Sequence, residues 1–218
     1  MQTIILMNKL FYQTVATSNE YEIPKIKWSR FIGNIFHITN KEEADRYIHD
    51  IQQKYPDASH HCFAYRYDVQ IQNDIFWNII YTDKYHKLSD AGEPTNTAGK
   101  PIMSMIEKHE LHNVLVVVTR YFGGTLLGVG WLIQAYGEAA KKVIEKSKFQ
   151  EAEITKLLEF SYPFDLLQAV RNILNKYNAK IIEEKYDKDI EMKIAINHGY
   201  YSDFSKDIFE NSKWKVKI

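Results

Sequence analysis

The chain has 218 residues, 45% of them apolar and 26% charged, the composition of a folded protein with room for two domains. The formal charge is zero; division near residue 150 leaves 17 Lys and Arg against 16 Asp and Glu, then 11 against 12, so neither half is a basic module. A single cysteine, Cys62, excludes an internal disulfide framework and a multi-cysteine metal site.

No basic-then-apolar leader opens the sequence, and a cytoplasmic protein is expected. Residues 1–30 carry little periodicity, and Pro24 marks an irregular stretch. FIGNIFHI (31–38) reads as a strand. Thr39 and Asn40 then precede KEEADRYIHDIQQKY, with Glu42 and Glu43 at capping-box distance. Ala44, Tyr47, Ile48 and Ile51 form its apolar stripe, which predicts an amphipathic helix ending before Pro56. HCFAYRYDV (61–69) and IFWNIIYT (75–82) read as two strands joined by a hairpin over 70–74. A loop from Asp83 to Gly99 follows, and Pro101 opens the helix PIMSMIEKH. NVLVVVT (113–119) is a continuous β-branched run, the pattern of a strand buried on both faces.

A helix is predicted from about Thr125 to Lys146. Val129, Leu132, Ile133, Tyr136, Ala140, Val143 and Ile144 share its apolar side; Trp131, Gln134, Glu138, Lys142 and Glu145 share the other. Beyond it, TKLLEFSY, PFDLLQAVRNILNKY, KIIEEKY, DIEMKIAIN, YSDFSKDIFE and KWKVKI read in the order βαββαβ, that of a ferredoxin-like sandwich. Ser202 is a candidate cap for the last helix, and the charged segment 145–153 is the expected joint. The expected domains are residues 1–148 and 149–218, and the fold class is α+β.

Seven of the nine glycines fall between Asp90 and Gly137, around the β-branched run. Glycine admits positive φ and close backbone approach, so function is expected at this loop–strand–loop–helix unit. Seventeen uncharged residues separate Arg120 from Glu138, but their glycines and the amphipathic pattern that follows argue against a membrane span. Gly99-Lys100-Pro101 is not a phosphate loop, because six residues separate Gly92 from Gly99 and a proline follows the lysine. Gly128-x-Gly130 lacks the third glycine of a dinucleotide fingerprint. His60 and His61 beside Cys62 could supply a thiol–imidazole pair, and His60, Asp90 and Glu93 could converge on a metal; a buried, unreactive Cys is the commoner outcome. For the loop from Asp90 to Lys100 two readings stay open. One is an ion-paired structural loop; the other is a cleft where Lys100, Arg120 and the N–H groups of Gly123 and Gly124 hold an anion.

DASHHCFAYR, SDAGEPTNTAGKP and VVVTRYFGGTLLGVGWLIQAYGEAAK resemble the IMPACT (YigZ-type) family, and the resemblance runs from about Lys27 to the C-terminus. It implies an N-terminal β-α-β domain like one in a small-subunit ribosomal protein. A C-terminal ferredoxin-like domain, similar to one in elongation factor G, is implied to follow. Three positions depart from the family pattern: Ala91 stands for an acid, Trp131 for glycine and Gln134 for arginine. Eukaryotic members of the family regulate translation through a protein partner. The resemblance therefore implies a binding protein linked to translation, with RNA or a translation-machinery protein as partner; no DNA, membrane, cofactor or metal is expected. The expected binding residues are His60, Asp90, Glu93, Thr97, Lys100, Arg120, Tyr121, Gly123, Gly124 and Trp131. The alternative is a small hydrolase or transferase that uses the Asp90–Lys100 loop with His60 and Arg120.

Overall fold

A computed structural model describes residues 11–73 and 79–211 of the chain. It divides into two compact units. One spans Tyr12–Ala152; the other takes in Phe11 and Glu153 onward. The fold is α+β, with ten strands and five α-helices among the described residues.

The first unit is built on a five-stranded sheet. Its strands are β2 (Asn19–Ile26), β3 (Ser29–His37), β4 (His60–Asn73), β5 (Ile79–Ser89) and β6 (Val114–Tyr121), in the order β2-β3-β6-β4-β5 and antiparallel throughout. The β-branched run is the central strand β6, and every residue from Val114 to Arg120 is buried. Its odd and even positions serve two cores, as the period of two in a strand requires. Val114, Val116 and Val118 pack under helices α2 (Gly99–Lys108) and α3 (Val129–Glu145); Leu115 and Val117 pack under α1 (Lys41–Lys54). Helix α1 begins as expected, with Asn40 Oδ1 accepting the Glu43 N–H at 2.8 Å and Glu43 accepting the Thr39 N–H at 2.7 Å.

Four local expectations are corrected. Residues 11–26 of the stretch without periodicity hold β1 (Phe11–Val15) and β2; Pro24 is tolerated because β2 is an edge strand, and the pairing register shifts beside it. Residues 83–89 are strand, so the loop before α2 is only 90–98; residues 74–78, within the expected hairpin, lie outside the described residues. The joint at 145–153 contains a strand, β7 (Phe149–Glu153), paired with β1. Helix α3 is turned from its expected face, for Val129 and Ile133 are exposed while Ala135 and Ala139 are buried. Close approach decides this turn. A Cβ on Gly33 of β3 would meet the Ala139 carbonyl oxygen at 2.8 Å, so the helix seats on its small residues rather than on its most hydrophobic ones.

In the second unit β8 (Thr155–Tyr162), β10 (Ile190–Asn197) and β9 (Lys180–Tyr186) form an antiparallel sheet in the order β8-β10-β9. Helices α4 (Leu167–Lys176) and α5 (Tyr201–Asn211) share its hydrophobic core, in which Tyr162, Ile190 and Phe204 are fully buried. Ser202 lies inside α5; Asn197 instead caps the short 3-10 turn that leads into it. The expected last strand, KWKVKI, lies outside the described residues.

Candidate functional site

The loop 90–98 is folded around one carboxylate. Asp90 Oδ1 accepts the N–H groups of Ala98 and Gly99, both at 2.9 Å, and Oδ2 accepts that of Asn96 at 2.8 Å. Ala98 makes no side-chain cap of its own, so Asp90 satisfies the first donors of α2 from eight residues upstream. Burial pushes the Asp90 pKa up, but the three N–H donors outweigh it and the net shift is downward. Thr97 is buried, and its hydroxyl donates to the Pro94 carbonyl at 2.6 Å. Lys100 is exposed on the first turn of α2.

Glu93 points inward. Its Oε1 accepts from Arg120 Nη1 at 2.6 Å and from the Tyr136 hydroxyl at 2.8 Å, and His60 Nε2 lies 3.8 Å away. Arg120 is almost wholly buried; it lies between the Phe31 and Phe122 rings, each 5.5 Å away, and donates to Ser29 Oγ at 3.3 Å. Strand register places His60 of β4 opposite Arg120 of β6, and His60 Nδ1 donates to the Ala91 carbonyl at 2.9 Å. Cys62 is buried beside this group, with its thiol donating to the Asp90 carbonyl at 2.9 Å. Burial pushes the thiol pKa up to about 12, against the Tyr136 hydroxyl, which pulls it down; a thiolate nucleophile is not formed at neutral pH. Tyr136 also titrates above its ordinary value, mainly through burial and then through Cys62 and Glu93, so it stays a donor.

His60, Asp90, Glu93, Thr97 and Arg120 are therefore brought together, with their charges paired inside the cluster, although the buried Arg120 Nε has no hydrogen-bond partner. No group of metal-ligating side chains occurs among the described residues. Tyr121 is half-buried: its hydroxyl donates to Asp57 at 3.2 Å and the Arg30 guanidinium lies 5.0 Å over its ring. The N–H of Gly123 is also taken, by Ser29 Oγ at 3.1 Å. A Cβ at Gly123 would stand 2.2 Å from the Trp28 carbonyl carbon, so the loop after β6 is pressed onto the β2–β3 turn.

That turn escaped the sequence reading. Lys27 and Trp28 form a two-residue hairpin loop with φ of 45° and 70°, a conformation usually left to Asn-Gly. Trp28 is 77% exposed, Leu126 85% and Trp131 49%; Phe122 and Val129 are exposed as well. The Lys27 ammonium lies 5.4 Å over the Trp131 ring and so ties the turn to the start of α3. Nothing lies within 4 Å of where a Cβ would sit on Gly124, Gly128 or Gly130. An exposed aromatic and aliphatic ledge thus surrounds bare backbone, just outside the polar cluster. Only the placement of Trp131 on a polar helix face pointed to it from sequence.

Residues 27–144 match the Impact N-terminal domain, and residues 160–213 match a domain of unknown function, DUF1949. The chain belongs to the IMPACT family. It is 30% identical to the IMPACT family member YvyE of Bacillus subtilis, over 95% of this chain and 89% of that one. It is 28% identical to the IMPACT family member YigZ of Escherichia coli, over 90% and 91% of the two chains. A crystal structure of a hypothetical protein shares the fold, with a TM-score of 0.69, 24% identity and 95% coverage of both chains. No described helix of this family member is long and apolar enough to cross a membrane; the uncharged run after Arg120 is split between a strand end, a loop and α3.

Proposed function

We propose that this IMPACT family member is a non-enzymatic binding protein linked to translation or its regulation. In this reading it holds RNA or a protein of the translation machinery on its glycine-rich face. The observation that carries the reading is the ledge of Trp28, Phe122, Leu126, Val129 and Trp131. Large apolar side chains clustered in water around uncovered backbone are the mark of an interface. The backbone strain at Lys27–Trp28 adds to this. Left-handed geometry costs about 1–2 kcal/mol at each non-glycine residue, and here it displays an indole instead of burying one.

The polar cluster supports binding over catalysis. Both Asp90 oxygens are spent on backbone, Glu93 is spent on Arg120 and Tyr136, and Cys62 is held as a thiol. Arg120, paired internally, is not free for a phosphate. Lys27 then carries the electrostatics of the ledge, and a nucleic-acid ligand would be held by stacking on Trp28 and Trp131. The link to translation rests on the family resemblance.

A photo-cross-linking residue at Leu126, the most exposed ledge position, tests the reading in cells. Cross-links to RNA or to a translation component, absent when the same residue replaces Glu183 on β9, are expected. Identical products from the two positions, or none from Leu126, would overturn it.

A further inference from the structure

Water satisfies an exposed charge, but it does not satisfy an exposed indole or leucine side chain. The ledge therefore calls for cover in a way that the polar groups around it do not. Ile133, exposed one helical turn beyond Val129, extends it along α3. With Trp28, Phe122, Leu126, Val129 and Trp131 it gives on the order of 600 Å² of apolar surface, beside roughly 800 Å² that one partner brings to a stable protein–protein interface. A small molecule would leave most of that surface in water.

Charge separates the two kinds of macromolecule that could cover it. The 17 residues between Arg120 and Glu138 carry none, and Arg120 itself is buried against Glu93. In the β2–β3 hairpin, Arg30 is bound to Glu22 at 2.9 Å, and Lys25 lies in the field of the same carboxylate. Lys27 makes no ion pair among the described residues, and its ammonium stands 5.4 Å over the Trp131 ring. A single unpaired cation on the ledge falls short of what a nucleic acid needs, since such complexes commonly make about 6–10 phosphate contacts. Leu126, Val129 and Ile133 also give a base no ring to stack on. Large apolar side chains without charge are instead the composition of the centre of a protein–protein interface.

We infer that the ledge docks an apolar segment of another protein, and that this segment carries an acidic residue. This rests on the reading above that the ledge is a binding face. The aliphatic and aromatic side chains of the segment cover Trp28, Leu126, Val129 and Trp131, and its carboxylate meets the Lys27 ammonium. Gly124, Gly128 and Gly130, with open space where a Cβ would stand, let the partner's backbone come close. Lys27 sets the sign of the partner's charge, and no acidic side chain in the first turn of α3 opposes it.

Random dodecapeptides displayed on phage and selected on the full chain test this. Enriched sequences should combine several large apolar residues with an Asp or Glu. A synthetic peptide of the enriched sequence should bind with Kd near ~10–100 μM, and roughly tenfold more weakly to Leu126→Asp, a change at an 85% exposed position that the fold does not need. Lys27→Glu should weaken it roughly three- to tenfold, and a peptide with Lys in place of its acid should regain binding to that variant. Enriched peptides without an acid, or with equal affinity for Leu126→Asp, would overturn the inference. So would the absence of enriched peptides together with binding of a dodecameric oligouridylate that Trp28→Ala abolishes. That result would keep the ledge as a binding face and make its partner RNA. If neither peptide nor oligonucleotide binds, the ledge is not a binding face and both readings fall.

Discussion

The loop 90–98 and the ledge around Gly123–Trp131 belong to one stretch of sequence and meet at Arg120 and Phe122, yet they solve opposite problems. The loop carries acids, and it turns them inward onto backbone N–H groups, Arg120 and Tyr136. The ledge carries indoles and aliphatics, and it leaves them in water. The difference shows that charged side chains in a glycine-rich loop can be the framework, while the surface such a framework presents is apolar. Recognition is then sought in the groups that the fold leaves unsatisfied, not in those whose chemistry is most familiar.

Removing Glu93 should break this contrast most severely. Glu93→Ala leaves the Arg120 guanidinium buried without its counter-ion and should cost roughly 3–5 kcal/mol in chemical denaturation. A loss below about 1 kcal/mol, the value of a surface pair, would mean that the cluster is open to water. The contact between loop and turn is the next to test. Gly123→Ala forces the Trp28 backbone to move and should cost roughly 1–3 kcal/mol by the same measurement.

Asp90 sharpens the comparison through pH. Asp90→Ala should lose about 0.5–2 kcal/mol, the value of a helix cap. Because the folded pKa of Asp90 lies below the ordinary 3.8, its contribution is complete above that value and disappears as the pH falls through the folded pKa. Wild type and Asp90→Ala should therefore converge in stability in that acidic window and differ at pH 7. Parallel curves down to the lowest pH would show that the carboxylate is not what holds the loop.

The smallest effect belongs to the ledge. Trp131→Gly should cost about 1 kcal/mol or less, the helix propensity difference alone. A buried indole would cost roughly 3–5 kcal/mol. The larger figure would place Trp131 in the core and remove half of the proposed stacking surface.

Much of the fold can be read in order along the chain. The β-branched run of β6, the capped stripe of α1 and the βαββ order after residue 154 each follow from a periodicity that local chemistry enforces. The helix α3 shows where such reading stops. Hydrophobicity pointed Val129 and Ile133 inward, whereas the fit of Ala139 against Gly33 turned them out. The site divides in the same way. Asp90, Glu93, Arg120 and His60 stand out as a set in the sequence, but whether they face a ligand or one another does not.

The sequence by itself determined the family, the α+β class and the stretch in which the unusual backbone is concentrated. Those depend on residue type and spacing, and they survive without coordinates. Only the tertiary structure decided that Arg120 is spent on Glu93 and that Lys27 and Trp28 take left-handed geometry against Gly123. Each of these is a matter of which atoms meet across tens of residues. A donor is satisfied or left over according to where the remote strand or helix comes to rest, and no local pattern encodes that distance.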